Sequence, residues 1–60
     1  MQWNRPKDKL PNHLEEVLIR YGGIFNLATY NEHEKTFVLR NGEVYGVDMI
    51  NIQWLRLATP

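Results

Sequence analysis

Apolar and polar positions along this chain follow the strand period of two more closely than the helical period of about 3.6. The clearest case is residues 16–30. Val17 to Tyr21 and Ile24 to Tyr30 are rich in β-branched, branched-aliphatic and aromatic side chains, and they flank Gly22-Gly23. A helix through this stretch would hold two adjacent glycines in its interior, each costing about 1 kcal/mol relative to alanine. In a two-residue hairpin loop the same glycines supply the positive φ angles required. That loop places Tyr21 opposite Ile24, Ile19 opposite Asn26 and Val17 opposite Ala28 on one face. Leu18 meets Leu27, and Arg20 meets Phe25, on the other. Val17, Ile19 and Ala28 are expected to face inward. Neither face is cleanly polar, so the sheet should curl and cover part of both.

A second hairpin is predicted over Thr36–Tyr45, where Asn41-Gly42 separates two apolar runs. A two-residue loop there puts Arg40 opposite Glu43, Leu39 opposite Val44 and Val38 opposite Tyr45. Leu39, Val44 and Phe37 are then expected in the core. Val38, Tyr45 and Arg40 form an exposed apolar–aromatic patch. Beyond Gly46, Asp48 is expected to cap a short helical turn through Met49 and Ile50. Ile52 to Leu57 reads as a final strand, with Ile52 and Trp54 on one face and Leu55 and Leu57 on the other.

The remaining segments are polar. Residues 1–11 hold Pro6 and Pro11 around Leu10, and Asp8 is expected to tighten a turn that tucks Leu10 inward. Arg5, Lys7 and Lys9 invite a reading as a phosphate-touching arm. Asp8 offsets them, and a solvated lead-in pinned by Trp3 and Leu10 is preferred. Asn12 and Glu15 stand at capping-box spacing, with room for about one turn. His13, and the Glu32-His33-Glu34 triplet, suggest metal or acid–base chemistry. Zinc wants three or four convergent ligands and consecutive residues diverge, so both are read as surface turns.

These elements predict a mainly β fold: a small antiparallel curled sheet or SH3-like barrel of four to five strands with a short helical turn. It forms one domain over 1–60, with a tail at 58–60, and Trp3 and Trp54 are expected to close the two ends over one core. Composition narrows the picture. A chain of 60 residues buries only about 60% of its unfolded surface. With no cysteine, no disulfide can reinforce it. Seven Lys and Arg balance seven Asp and Glu, so no net field draws the protein to nucleic acid or anionic membranes. No apolar run approaches the roughly 20 residues of a membrane span. No signal peptide is evident, and a soluble intracellular protein is expected.

Trp3, Lys7, Asp8, Leu10 and Pro11 spell W-x-x-x-K-D-x-L-P. Glu16-Val-Leu-Ile19, a glycine turn, an aromatic-bearing second strand and a late Trp54 follow. In this order the chain resembles a family of small domains of unknown function, frequent in tailed phages and in prophage regions of bacterial genomes. That family usually closes on Trp-x-Pro-Leu-Pro. Leu57 matches, whereas Arg56 and Ala58 stand where the prolines would be. The resemblance implies a phage or prophage accessory protein acting in the bacterial cytoplasm, and it transfers no catalytic residue.

An enzyme is not expected. The chain has no serine or cysteine and only three threonines, and its two histidines lack a convergent acid. A pocket of about 300 Å³ is hard to house in so small a domain. No cofactor or metal is expected. The favoured reading is an interaction module that docks a host or phage protein through Val38, Arg40 and Tyr45. Tyr45→Ala should then weaken capture without lowering the melting temperature. The alternatives are a nucleic-acid-binding domain stacking bases on Trp3, Tyr21, Tyr30, Tyr45 and Trp54, and a self-associating piece of an assembly.

Overall fold

The computed structural model describes residues 2–57, so the tail assigned to 58–60 lies outside the described residues. Five strands, β1 (Glu16–Tyr21), β2 (Ile24–Asn31), β3 (Thr36–Leu39), β4 (Val44–Gly46) and β5 (Gln53–Arg56), form one antiparallel sheet ordered β4-β3-β2-β1-β5. β4 and β5 remain unpaired with each other. Of the two architectures expected, the curled open sheet is therefore the one found.

The first hairpin has the expected register throughout, from Tyr21 opposite Ile24 to Val17 opposite Ala28. Gly22 and Gly23 have φ of 59° and 79°, the left-handed pair that a two-residue loop needs. The second hairpin differs by one residue. Val38 lies opposite Val44, and Phe37 opposite Tyr45. Gly42 is left-handed at φ 94°, but Asn41 is not. The loop is a tight turn, Gly42 N–H to the Leu39 carbonyl at 3.0 Å, followed by a one-residue bulge. The side chain of Asn41 secures it. Its Oδ1 accepts from Glu43 N–H at 2.9 Å, and its Nδ2 donates to the Glu43 carboxylate at 2.9 Å. Asparagine thus serves as a hydrogen-bonding turn residue and keeps its ordinary φ.

This shift changes the faces of β4. Tyr45 turns inward against Tyr21, ring centroids 5.2 Å apart, while Val44 turns outward and is 55% exposed. Arg40 does not face Glu43; it pairs with Glu16 on β1. No helix forms at Asp48. Met49 N–H to the Gly46 carbonyl and Ile52 N–H to the Met49 carbonyl make two successive turns, and left-handed Asn51 (φ 68°) redirects the chain into β5.

The core consists of Val17, Ile19, Ala28, Tyr30, Phe37, Leu39, Ile52 and Trp54. Trp54 is its largest member and lies opposite Ile19. The lead-in is held by Trp54 rather than by Leu10, which stays exposed. Asn4 and Trp54 exchange both backbone hydrogen bonds, at 2.8 and 2.9 Å, and the Trp54 indole N–H donates to the Lys9 carbonyl at 2.8 Å. Pro6 and Pro11, not Leu10, are the buried residues of this segment. The two tryptophans do not share a core. Trp3 lies across the opposite sheet face, on Phe25 and Arg20.

Candidate interaction surfaces

The outer face of the sheet is apolar by strand alternation. Leu18 stands between Leu27 and Leu55, and Arg20 between Phe25 and Gln53, on the side away from Val17 and Ile19. Thr29, Val38 and Val44 continue this face across β2, β3 and β4. Trp3 covers one corner. Its ring lies 5.8 Å from that of Phe25, and the Arg20 guanidinium sits 4.4 Å above it. Arg20 is further fixed by Gln53, whose Oε1 accepts from Nε at 3.0 Å and also from Nη2. Phe25 remains 55% exposed and Val38 38%. On the same face Arg40 reaches across β2 to grip Glu16 of β1 through two hydrogen bonds of 2.9 and 3.1 Å. That pair is solvent-exposed and contributes about 1 kcal/mol at most.

Of the three residues Val38, Arg40 and Tyr45, Val38 and Arg40 share the outer face and Tyr45 leaves it. Val38 lies on the outer face, Arg40 is tied to Glu16, and Tyr45 packs against the core. The sequence placed Trp3 over the core with Trp54, and its position on the outer face was missed. Trp3 reaches Phe25 only because Asn4 bridges to Trp54, and nothing in the local sequence announces that pairing. The approach of Phe25 to Arg20 was legible from the first hairpin alone.

Two other groupings stand out. The rings of His13 and His33 meet edge to face at 4.6 Å, and His13 Nδ1 accepts from Glu32 N–H at 3.1 Å. Among the described residues no three His, Asp or Glu side chains converge as a metal site. A cleft of about 310 Å³ opens between Arg5–Lys7 and Val47–Ile52. The domain thus houses a concavity at the lower limit of typical small-molecule sites, despite its size.

Comparison with protein-family models, curated proteins and solved structures found no match to this chain. Among the described residues no helix is long and apolar enough to cross a membrane.

Glu15 is the titrating group with structural leverage. It accepts from Arg56 at 2.5 and 2.9 Å and from Asn12 N–H at 2.8 Å, the second contact being half of the expected capping box. The Arg56 hydrogen bonds are the main cause holding its carboxyl below the ordinary value. Partial burial opposes them, and the Asn12 N–H adds to them. A depressed carboxyl pKa stabilises the fold above the unfolded value of about 4.3 and loses that effect as pH falls through the folded one. The Tm difference between wild type and Glu15→Gln should be present at neutral pH and shrink below about pH 4.3. Thermal melts across that range check it; a constant difference would deny the linkage.

Proposed function

We propose that this chain is a non-enzymatic interaction module that docks a partner protein on the outer face of its sheet. The observation that carries the reading is the apolar outer face. Trp3, Phe25, Leu18, Leu27 and Leu55 lie on one side of the Arg40–Glu16 pair and Val38 and Val44 on the other, Phe25 and Val44 each being more than half exposed. Exposed apolar patches of this extent are a common mark of interaction sites. Aromatic anchors beside an arginine are the composition of binding hot spots. The Cα envelope measures 28 × 23 × 22 Å. One face is then of the order of the roughly 800 Å² each partner contributes to a standard interface, so docking uses most of it.

The chemistry of the partner follows from the charges. Arg40 is already neutralised by Glu16, whereas Arg20 is bound by an uncharged amide and an aromatic ring. The partner surface is accordingly apolar, with a carboxylate opposite Arg20. The W-x-x-x-K-D-x-L-P opening favours a phage or prophage accessory role on a host or phage protein in the bacterial cytoplasm. Nucleic-acid binding has less support. Trp54 and Tyr30 are buried, and Tyr21 and Tyr45 pack on each other, leaving Trp3 and Phe25 as stacking surface.

The test compares wild type with Phe25→Asp and Val44→Asp, both at exposed positions. A protein captured from a bacterial lysate is purified and titrated against each form by calorimetry. The expected result is a Kd raised about ten-fold or more by Phe25→Asp, with the β-sheet circular-dichroism spectrum retained. Equal affinity for all three forms overturns the surface. Sedimentation of the purified chain separates the other reading: a dimer broken by Phe25→Asp replaces the foreign partner with a second copy.

A further inference from the structure

The cleft between the lead-in and the β4–β5 connection shares no residue with the outer face, and the proposed function leaves it unused. Its lining is Arg5, Pro6 and Lys7 on one side and Val47 to Ile52 on the other. Both walls are tied down. On the first, Asp8 and Lys9 N–H both donate to the Arg5 carbonyl, at 2.9 and 3.0 Å, closing a turn with Pro6 at its second position. The Asn4–Trp54 bridge and the Trp54 indole bond to Lys9 then fix that turn to β5. On the second, Val47 N–H donates to the Lys35 carbonyl at 3.1 Å, and the two turns around Met49 complete the wall.

Apolar groups line the depth of the cleft. Pro6 and Ile52 are buried, and Val47 and Met49 are half-buried against the core. Ile50, 81% exposed, forms an apolar lip. The charged residues of the lining are two cations and one carboxylate. Asp48 is drawn toward its own loop: a Cβ added at Gly46 would lie 2.6 Å from Asp48 Oδ1. Among the described residues the ion pairs use Arg40 and Arg56, and Arg20 is held by Gln53. Arg5 and Lys7 take part in none of these.

We propose that this cleft binds a small amphipathic carboxylate, its apolar body on Pro6, Val47, Met49 and Ile52 and its carboxylate between Arg5 and Lys7. A fixed apolar concavity with a few polar groups at its mouth is the usual form of a small-ligand site. Arginine and lysine supply the charge-assisted donors that a carboxylate takes. A volume of about 310 Å³ accommodates about ten water-sized groups. That is the size of a short fatty acid, or of a peptide's C-terminal residue bearing an apolar side chain. Both sources present the same chemistry.

The experiment titrates the ¹⁵N-labelled chain with octanoate, N-acetylleucine, octylammonium and N-acetylleucinamide. The expected result is saturable amide shifts confined to residues 5–7 and 47–52 with one or both carboxylates, at a Kd of about 1 mM or tighter. The cationic and amidated analogues should bind about ten-fold more weakly. The Arg5→Gln/Lys7→Gln variant should lose about the same factor while melting like wild type, since both side chains are exposed. Response to octanoate alone assigns the site to free fatty-acid-like ligands, and response to N-acetylleucine alone assigns it to peptide termini. Equal shifts with octylammonium overturn the proposal, as do shifts centred on Phe25 and Val44, or no saturable shift up to about 10 mM.

Discussion

Trp54→Ala is expected to remove a large share of the chain's stability and lower its Tm by about 12–40 °C. Domains carry about 0.05–0.15 kcal/mol of stability per residue, so 60 residues hold roughly 3–9 kcal/mol. Truncating a buried tryptophan to alanine removes about 3–5 kcal/mol, and cavity formation adds to the spread. Trp54 is fully buried beside Ile19, and its indole N–H anchors the lead-in at Lys9. The loss therefore reaches beyond the core. With the ring gone, the lead-in loses its indole bond at Lys9 and keeps the backbone pair between Asn4 and residue 54. Circular dichroism and amide dispersion in the NMR spectrum provide the readout. A cooperative melt within a few degrees of wild type would show that the interior is organised around something else.

The second large effect is Tyr45→Ala, set against Val44→Ala. Tyr45 packs on Tyr21 and stands opposite Phe37 on the core side, whereas Val44 is more than half exposed. Tyr45→Ala should destabilise by about 2 kcal/mol, a fall in Tm of about 8–16 °C for a domain of this size. Val44→Ala should change stability by no more than about 0.5 kcal/mol. The in-register two-residue loop expected from Asn41-Gly42 demands the reverse order. Thermal melts of the two variants thus decide the register of the second hairpin. They also decide which residue of β4 is available to a partner.

The two hairpins show how far local pattern carries. In the first, two adjacent glycines accept positive φ equally well, so the loop length and every pairing up to Val17 opposite Ala28 were legible. In the second, one glycine was paired with an asparagine whose side chain could bond Glu43 N–H. That bond favours a longer loop and moves β4 by one residue. Because side chains alternate, the small displacement exchanged the core and surface roles of Val44 and Tyr45. Tyr45 left the expected patch with Val38 and Arg40 for that reason.

The rest of the surface depended on contacts remote in sequence. Trp3 reaches Phe25, and Arg5 and Lys7 reach the Val47–Ile52 wall, through the pairing of Asn4 with Trp54. His13 and His33 meet because the chain before β1 runs beside the turn after β2, where Leu14 N–H donates to the Tyr30 carbonyl at 2.7 Å. None of these neighbours follows from periodicity, which describes single elements. The composition of the face, by contrast, was readable once the first register was known: Leu18, Leu27, Arg20 and Phe25 lie where alternation puts them.

The bridge from Asn4 to Trp54 has a consequence for biosynthesis. On a translating ribosome the lead-in emerges first, while the indole that fastens it is yet to be made or still inside the exit tunnel. Val17, Ile19 and Tyr30 stay open to water until it emerges, and the lead-in has nothing to fasten to. Productive folding accordingly waits for Trp54 to leave the ribosome.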